Sequence, residues 1–168
     1  SEAMTSNMRN ILKSIFLTKE EVNDLVYFVE DDYIHKEEAI TEMLFTFEKI
    51  SSQIDSDIFL CPADYPYLYS KIEETKIFVG NKKHWRIVKE TLITFLTSKK
   101  MVLKYWDKLI SMGTIRHHPM EKKLHEIYEK EYCFSPIPSL AMHATNVNSA
   151  YGIPPNYDWI KNWEDNKS

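Results

Sequence analysis

A chain of 168 residues, 43% apolar and 13% aromatic, has enough side-chain volume for one domain around one core. Its three glycines leave little scope for phosphate-cradling loops or dinucleotide turns. The formal net charge of −4 hides a polarity: residues 1–80 hold 16 Asp/Glu against 7 Lys/Arg, giving −9, and residues 81–168 hold 9 against 14, giving +5.

In chain order, Ser1, Glu2 and Ala3 ahead of Met4 read as a cloning remnant outside the fold. Met8, Ile11, Leu12, Ile15 and Phe16 form the stripe of a short amphipathic helix. Thr18 and Glu21 have capping-box spacing and predict a second helix, with Val22, Leu25, Val26 and Val29 inward. From His35 a third helix carries Ala39, Ile40, Met43, Leu44, Phe47 and Ile50. Residues 58–61 are too short a run to decide between strand and buried loop. Pro62 and Pro66 bracket a tyrosine-rich turn, and residues 67–79 read as helical up to Gly80.

The longest helix-period segment is 81–113. Trp85, Val88, Leu92, Phe95 and Leu96, then Val102, Leu103, Trp106, Leu109 and Ile110, recur at spacings of three and four. Asn81 suits an N-cap and Gly113 a C-terminal stop. A single rod would be about 48 Å long in a domain whose radius of gyration is about 15 Å. A bend at the polar residues 97–100, with Ser98 capping the second piece, is therefore expected. Pro119 suits the first turn of another helix, packed through Met120, Leu124, Ile127 and Tyr128. Beyond Cys133, the prolines at 136, 138, 154 and 155 predict an irregular tail wrapping the domain. Tyr151, Tyr157, Trp159 and Trp163 would anchor it, and Asn156 would cap a last short helix.

The expected fold class is all-α. It is a single-domain irregular bundle of about six to eight helices around a central pair at 81–113. Residues 4–132 form the helical domain, and 133–168 pack on it as a Pro- and Trp-containing segment.

No apolar run approaches the roughly 18 residues a membrane helix needs, and no secretory leader is legible. Cys61 and Cys133 lack CxxC spacing, so a cytoplasmic protein with two free thiols is expected. No GxSxG elbow occurs, and no histidine neighbours either thiol in sequence, although Cys61 before Pro62 is a candidate reactive thiol.

His118, Glu121, His125 and Glu129 share one face of a helix and are chemically a reasonable metal set. That face points away from the apolar stripe, which favours a solvated surface with i,i+4 pairs; neither metal nor cofactor is expected. Lys82, Lys83, Arg86, Lys89, Lys99, Lys100, Lys104, Lys108, Arg116, Lys122 and Lys123 interleave with Trp85, Tyr105 and Trp106. Basic residues among aromatics suit single-stranded nucleic acid, but Trp85 and Trp106 lie on the core stripe.

The acids Glu20, Glu21, Asp24, Glu30, Asp31, Asp32, Glu37, Glu38 and Glu42 are different, because no local structural demand explains them. Carboxylates closing a helix even oppose its dipole. They are either a solvated face or a surface complementary to a basic partner, with Tyr65 and Tyr67 as interface anchors. The expected function is a small cytosolic binding protein that occludes a basic protein partner, such as an immunity or antitoxin-type inhibitor of a nuclease toxin. A nucleic-acid-binding regulatory face over 81–130 is the alternative, and a metal-dependent or thiol enzyme the second.

Overall fold

A computed structural model describes residues 6–21, 24–70, 72–114, 119–148 and 152–167. In chain order the elements are α1 (Ser6–Glu21), β1 (Leu25–Phe28), β2 (Tyr33–His35), α2 (Ala39–Ile54) and β3 (Phe59–Leu60). A 3-10 turn over Pro66–Tyr69 leads to β4 (Ile77–Val79), β5 (His84–Val88) and β6 (Phe95–Ser98). Then come α3 (Lys99–Lys104), α4 (Trp106–Thr114), α5 (Lys122–Tyr128), β7 (Cys133–Ile137), β8 (Ala141–His143) and α6 (Trp159–Asp165). Six strands form a mixed sheet in the order β1-β6-β3-β7-β5-β4, and β2 pairs with β8. The fold is mixed α/β, not the all-α bundle expected from periodicity.

The correction centres on 81–113. Its first half is β5 and β6, and only its second half is helical. The physical cause is burial on both sheet faces. Helix α2 covers one face, where Ala39, Met43, Phe47 and Ile50 pack with Leu60, Trp85, Leu96 and Phe134. Helices α1, α3, α4 and α5 cover the other, where Ile15, Val102, Leu109, Leu124 and Ile127 pack with Phe59, Val88 and Phe95. Trp85 and Val88 thus face opposite cores, as do Phe95 and Leu96. A strand apolar on both sides loses its period of two and imitates a helical stripe.

Other boundaries move for local reasons. Thr18 starts no helix: it lies buried inside α1 and its hydroxyl donates to the Ser14 carbonyl at 3.0 Å. Residues 25–28 are the edge strand β1, with Leu25 opposite Ser98 and Phe28 opposite Phe95. Of 67–79, the described residues 67–70 and 72–79 hold the end of the 3-10 turn and β4 rather than a helix. Asn81 is a hairpin residue whose N–H donates to Thr46 Oγ1. Asp158, not Asn156, caps α6, accepting from the Lys161 N–H at 3.0 Å. Ser98 does cap α3, accepting from the Met101 N–H at 3.0 Å. The ambiguous run at 58–61 contains the two-residue strand β3, Phe59–Leu60.

Part of the C-terminal segment is sheet, not the irregular tail expected. Strand β7 lies inside the sheet, parallel to β3 and antiparallel to β5. Pro136 is tolerated there because β3 pairs only with Cys133 and Phe134, so the missing N–H falls beyond that ladder. Helix α6 then docks on β2, where Asn162 Nδ2 donates to the His35 carbonyl at 2.9 Å.

Gly113 sits inside α4 and against α1, rather than ending a helix. A Cβ there would lie 2.5 Å from Leu12 Cγ and 2.8 Å from the Met8 carbonyl oxygen. The backbone oxygen cannot yield, so crowding outweighs the gain of about 1 kcal/mol in helix propensity. Gly113→Ala is expected to destabilise by a net of about 1–2 kcal/mol in urea denaturation. A net gain would mean that α1 and α4 do not pack so closely.

Candidate functional site

Edge strand β1 ends at Phe28, and the chain turns through residues 29–32 into β2. Aspartates favour such turns because their short carboxylates satisfy local N–H groups. The turn is fixed at both ends: the Glu30 N–H donates to Thr94 Oγ1 at 3.0 Å and the Ala144 N–H to the Asp32 carbonyl at 2.7 Å. His143 Nε2 meets Asp32 Oδ2 at 2.7 Å, and the imidazole stacks near Tyr33 with ring centroids 5.0 Å apart.

Behind the turn lies a cavity of about 270 Å³. Helix α1 supplies Asn10, Ile11, Ser14 and Ile15, while Phe28, Ile93, Phe95, Leu109, Met112 and Met120 complete its walls. Glu30, Asp31 and Asp32 form the rim, and no Lys, Arg or His occurs among the described residues lining it. Burial raises the Glu30 carboxyl above the usual glutamate value, opposed by His143 and a hydrogen bond from Thr94, and reinforced by Asp32 and Glu121. Asp31 is exposed and has no hydrogen-bond or ion-pair partner among the described residues. The arrangement offers negative potential over an apolar floor, which suits a cation carried on an apolar body.

The structure divides the acidic set of the sequence. Glu20 and Glu21 are exposed at the end of α1, and exposed Asp24 precedes β1. Glu30 lies six residues beyond Asp24, on the other side of strand β1, at most about 20 Å away at ~3.3 Å per residue. Glu37 and Glu38 are exposed just before α2, with Glu38 3.5 Å from Lys83 Nζ. Glu42 is no surface group: it is 2% exposed and clamps the β4–β5 hairpin. Only Glu30, Asp31 and Asp32 share a concave site.

Tyr65 is 1% exposed, bonded to the Tyr33 hydroxyl at 2.5 Å and stacked on half-buried Tyr67 at 5.5 Å, so it supports the core. Compared with protein families, curated proteins and solved structures, the chain matched none. The local chemistry therefore carries the functional reading.

His118 lies outside the described residues. His125 Nε2 sits 2.9 Å from the Thr91 carbonyl, exposed Glu129 lies 3.7 Å from Lys89, and Glu121 is half-buried. Among the described residues no three His, Cys, Asp or Glu side chains gather to hold a metal ion. Cys61 is fully buried, and burial pushes its thiol up to about 12, leaving it protonated at neutral pH.

The basic region is interleaved with carboxylates. Lys104 pairs with Glu131 at 2.6 Å, while Lys108 and Lys123 both hold Glu126, at 2.8 and 2.9 Å. Their hydrogen bonds, Lys108's first, draw the Glu126 carboxyl down to about 2. Trp85 is fully buried and presents no stacking surface. Among the described residues no helix is long and apolar enough to cross a membrane.

Sequence reasoning missed the buried charges Glu42, Asp64 and Arg86. For Glu42 a signal existed, since it continues the buried stripe of Ala39, Met43, Thr46 and Ile50 on α2. For Asp64 and Arg86 none did, because their meeting depends on the sheet order.

Proposed function

We propose that the protein binds and occludes a basic protein partner in the cytosol, with the rim of Glu30, Asp31 and Asp32 at the centre of the contact. The observation that carries this reading is the cavity itself: three carboxylates over an apolar floor, with no basic residue among its described lining. Carboxylates accelerate encounter with a positive surface, and an apolar recess provides the desolvated centre that stable interfaces need. A nuclease toxin is a partner of fitting chemistry, since its groove is positive to hold phosphate. An immunity or antitoxin-type inhibitor acts by filling such a groove.

The test is capture from native host extract with the full chain and with a Glu30→Gln, Asp31→Asn variant. A basic protein is expected to be retained by the native chain, with association slowing steeply between low and high salt, and to be lost with the variant. If the partner is a nuclease, its activity is blocked only by the native chain. Capture that is indifferent to the variant and to salt would overturn the reading.

A further inference from the structure

We infer that the cavity behind the β1–β2 turn takes one arginine side chain of the partner; this rests on the partner-binding reading above. At about 270 Å³ the cavity falls below the range of about 300–1,000 Å³ typical for drug-sized ligands, and suits a single inserted side chain. Its floor of Phe28, Phe95, Met112 and Met120 is apolar, so the occupant needs an apolar stem.

The rim decides the head group. Asp32 is already engaged by His143 at 2.7 Å. Among the described residues the Glu30 carboxylate accepts one hydrogen bond, from the Thr94 hydroxyl at 3.3 Å, and exposed Asp31 has no such partner. Two carboxylates at different depths are thus open to a donor set that reaches both. A guanidinium presents five N–H donors in a planar fork, whereas an ammonium acts as a compact, strongly hydrated point.

The probes are Nα-acetyl-arginine methylamide, its lysine counterpart and the neutral norleucine counterpart. Each is titrated into the full chain while the 13C methyl shifts of Met112 and Met120 are followed. The arginine amide is expected to saturate both shifts, at least threefold more tightly than lysine and at least tenfold more tightly than norleucine. Asp31→Asn is expected to weaken it severalfold at unchanged Tm, because Asp31 is exposed.

No saturable shift, or norleucine binding equally well, overturns the site; lysine binding equally well overturns the arginine assignment. A variant-sensitive basic partner without arginine-amide binding removes this inference and leaves the partner reading. Saturable arginine binding without any basic partner does the reverse.

Discussion

Glu42→Ala is expected to cost about 3–5 kcal/mol of stability. The carboxylate, 2% exposed, accepts from the backbone N–H of Lys82 at 2.9 Å and of Lys83 at 3.2 Å. It also accepts from the Trp85 indole at 3.3 Å and the Thr46 hydroxyl at 3.2 Å. Removing it strands several donors at once, each costing about 1–3 kcal/mol when buried without a partner. The same face of α2 completes the clamp, since Thr46 Oγ1 accepts from Asn81 and Lys49 Nζ donates to the Gly80 carbonyl at 2.8 Å. Glu42→Gln keeps one acceptor oxygen and is expected to lose less, about 1–3 kcal/mol. Urea denaturation measures both, and the Trp85 indole N–H resonance reports the clamp directly. A loss below about 1 kcal/mol for Glu42→Ala would show that the hairpin holds without it.

The second large effect lies on the opposite face of the β4–β5 hairpin. Asp64 meets Arg86 at 2.7 Å with side chains only 3% and 11% exposed, and Tyr69 donates its hydroxyl to the same carboxylate at 2.5 Å. The Arg86 guanidinium also lies over the Tyr69 ring, 4.1 Å from its centre. Asp64→Ala leaves a buried guanidinium unpaired and is expected to cost about 3–5 kcal/mol, whereas Asp64→Leu with Arg86→Met is expected to recover most of that loss.

The pH dependence has a definite sign. Burial, the largest cause, raises the Asp64 carboxyl above 3.8 despite Tyr69 and Arg86, which pull it down. A raised folded value means that the folded state holds this proton to higher pH than the unfolded state does. Its contribution is complete below 3.8 and is lost as pH rises through the folded midpoint. Over that window the native protein should lose stability relative to the Leu/Met double variant. A native stability that instead rises, relative to that variant, would mean that Arg86 outweighs burial.

Residues that bury one face were legible without coordinates. Ala39, Met43, Phe47 and Ile50 define α2 by period, and all four are buried where that stripe places them. Leu124, Ile127 and Tyr128 do the same for α5, and Ser98 announces its cap. These signals are local: a side-chain oxygen reaches an N–H three residues on, and a stripe needs only one apolar side.

The tertiary structure alone decided whatever depends on two neighbours at once. Trp85, Val88, Phe95 and Leu96 became strand residues because cores formed on both sides of the sheet, and that erased the period that would have named them. Pro136 entered the sheet because β3 is too short to require its donor.

The acidic run divides in the same way. Its amount of charge is a property of the sequence, and so is the expectation of a basic partner. Folding chose Glu42 as a buried clamp, left Glu20 and Glu21 in water, and set Glu30, Asp31 and Asp32 around a cavity. Carboxylates are identical as letters. Their roles diverge through what the chain brings within about 3 Å of each.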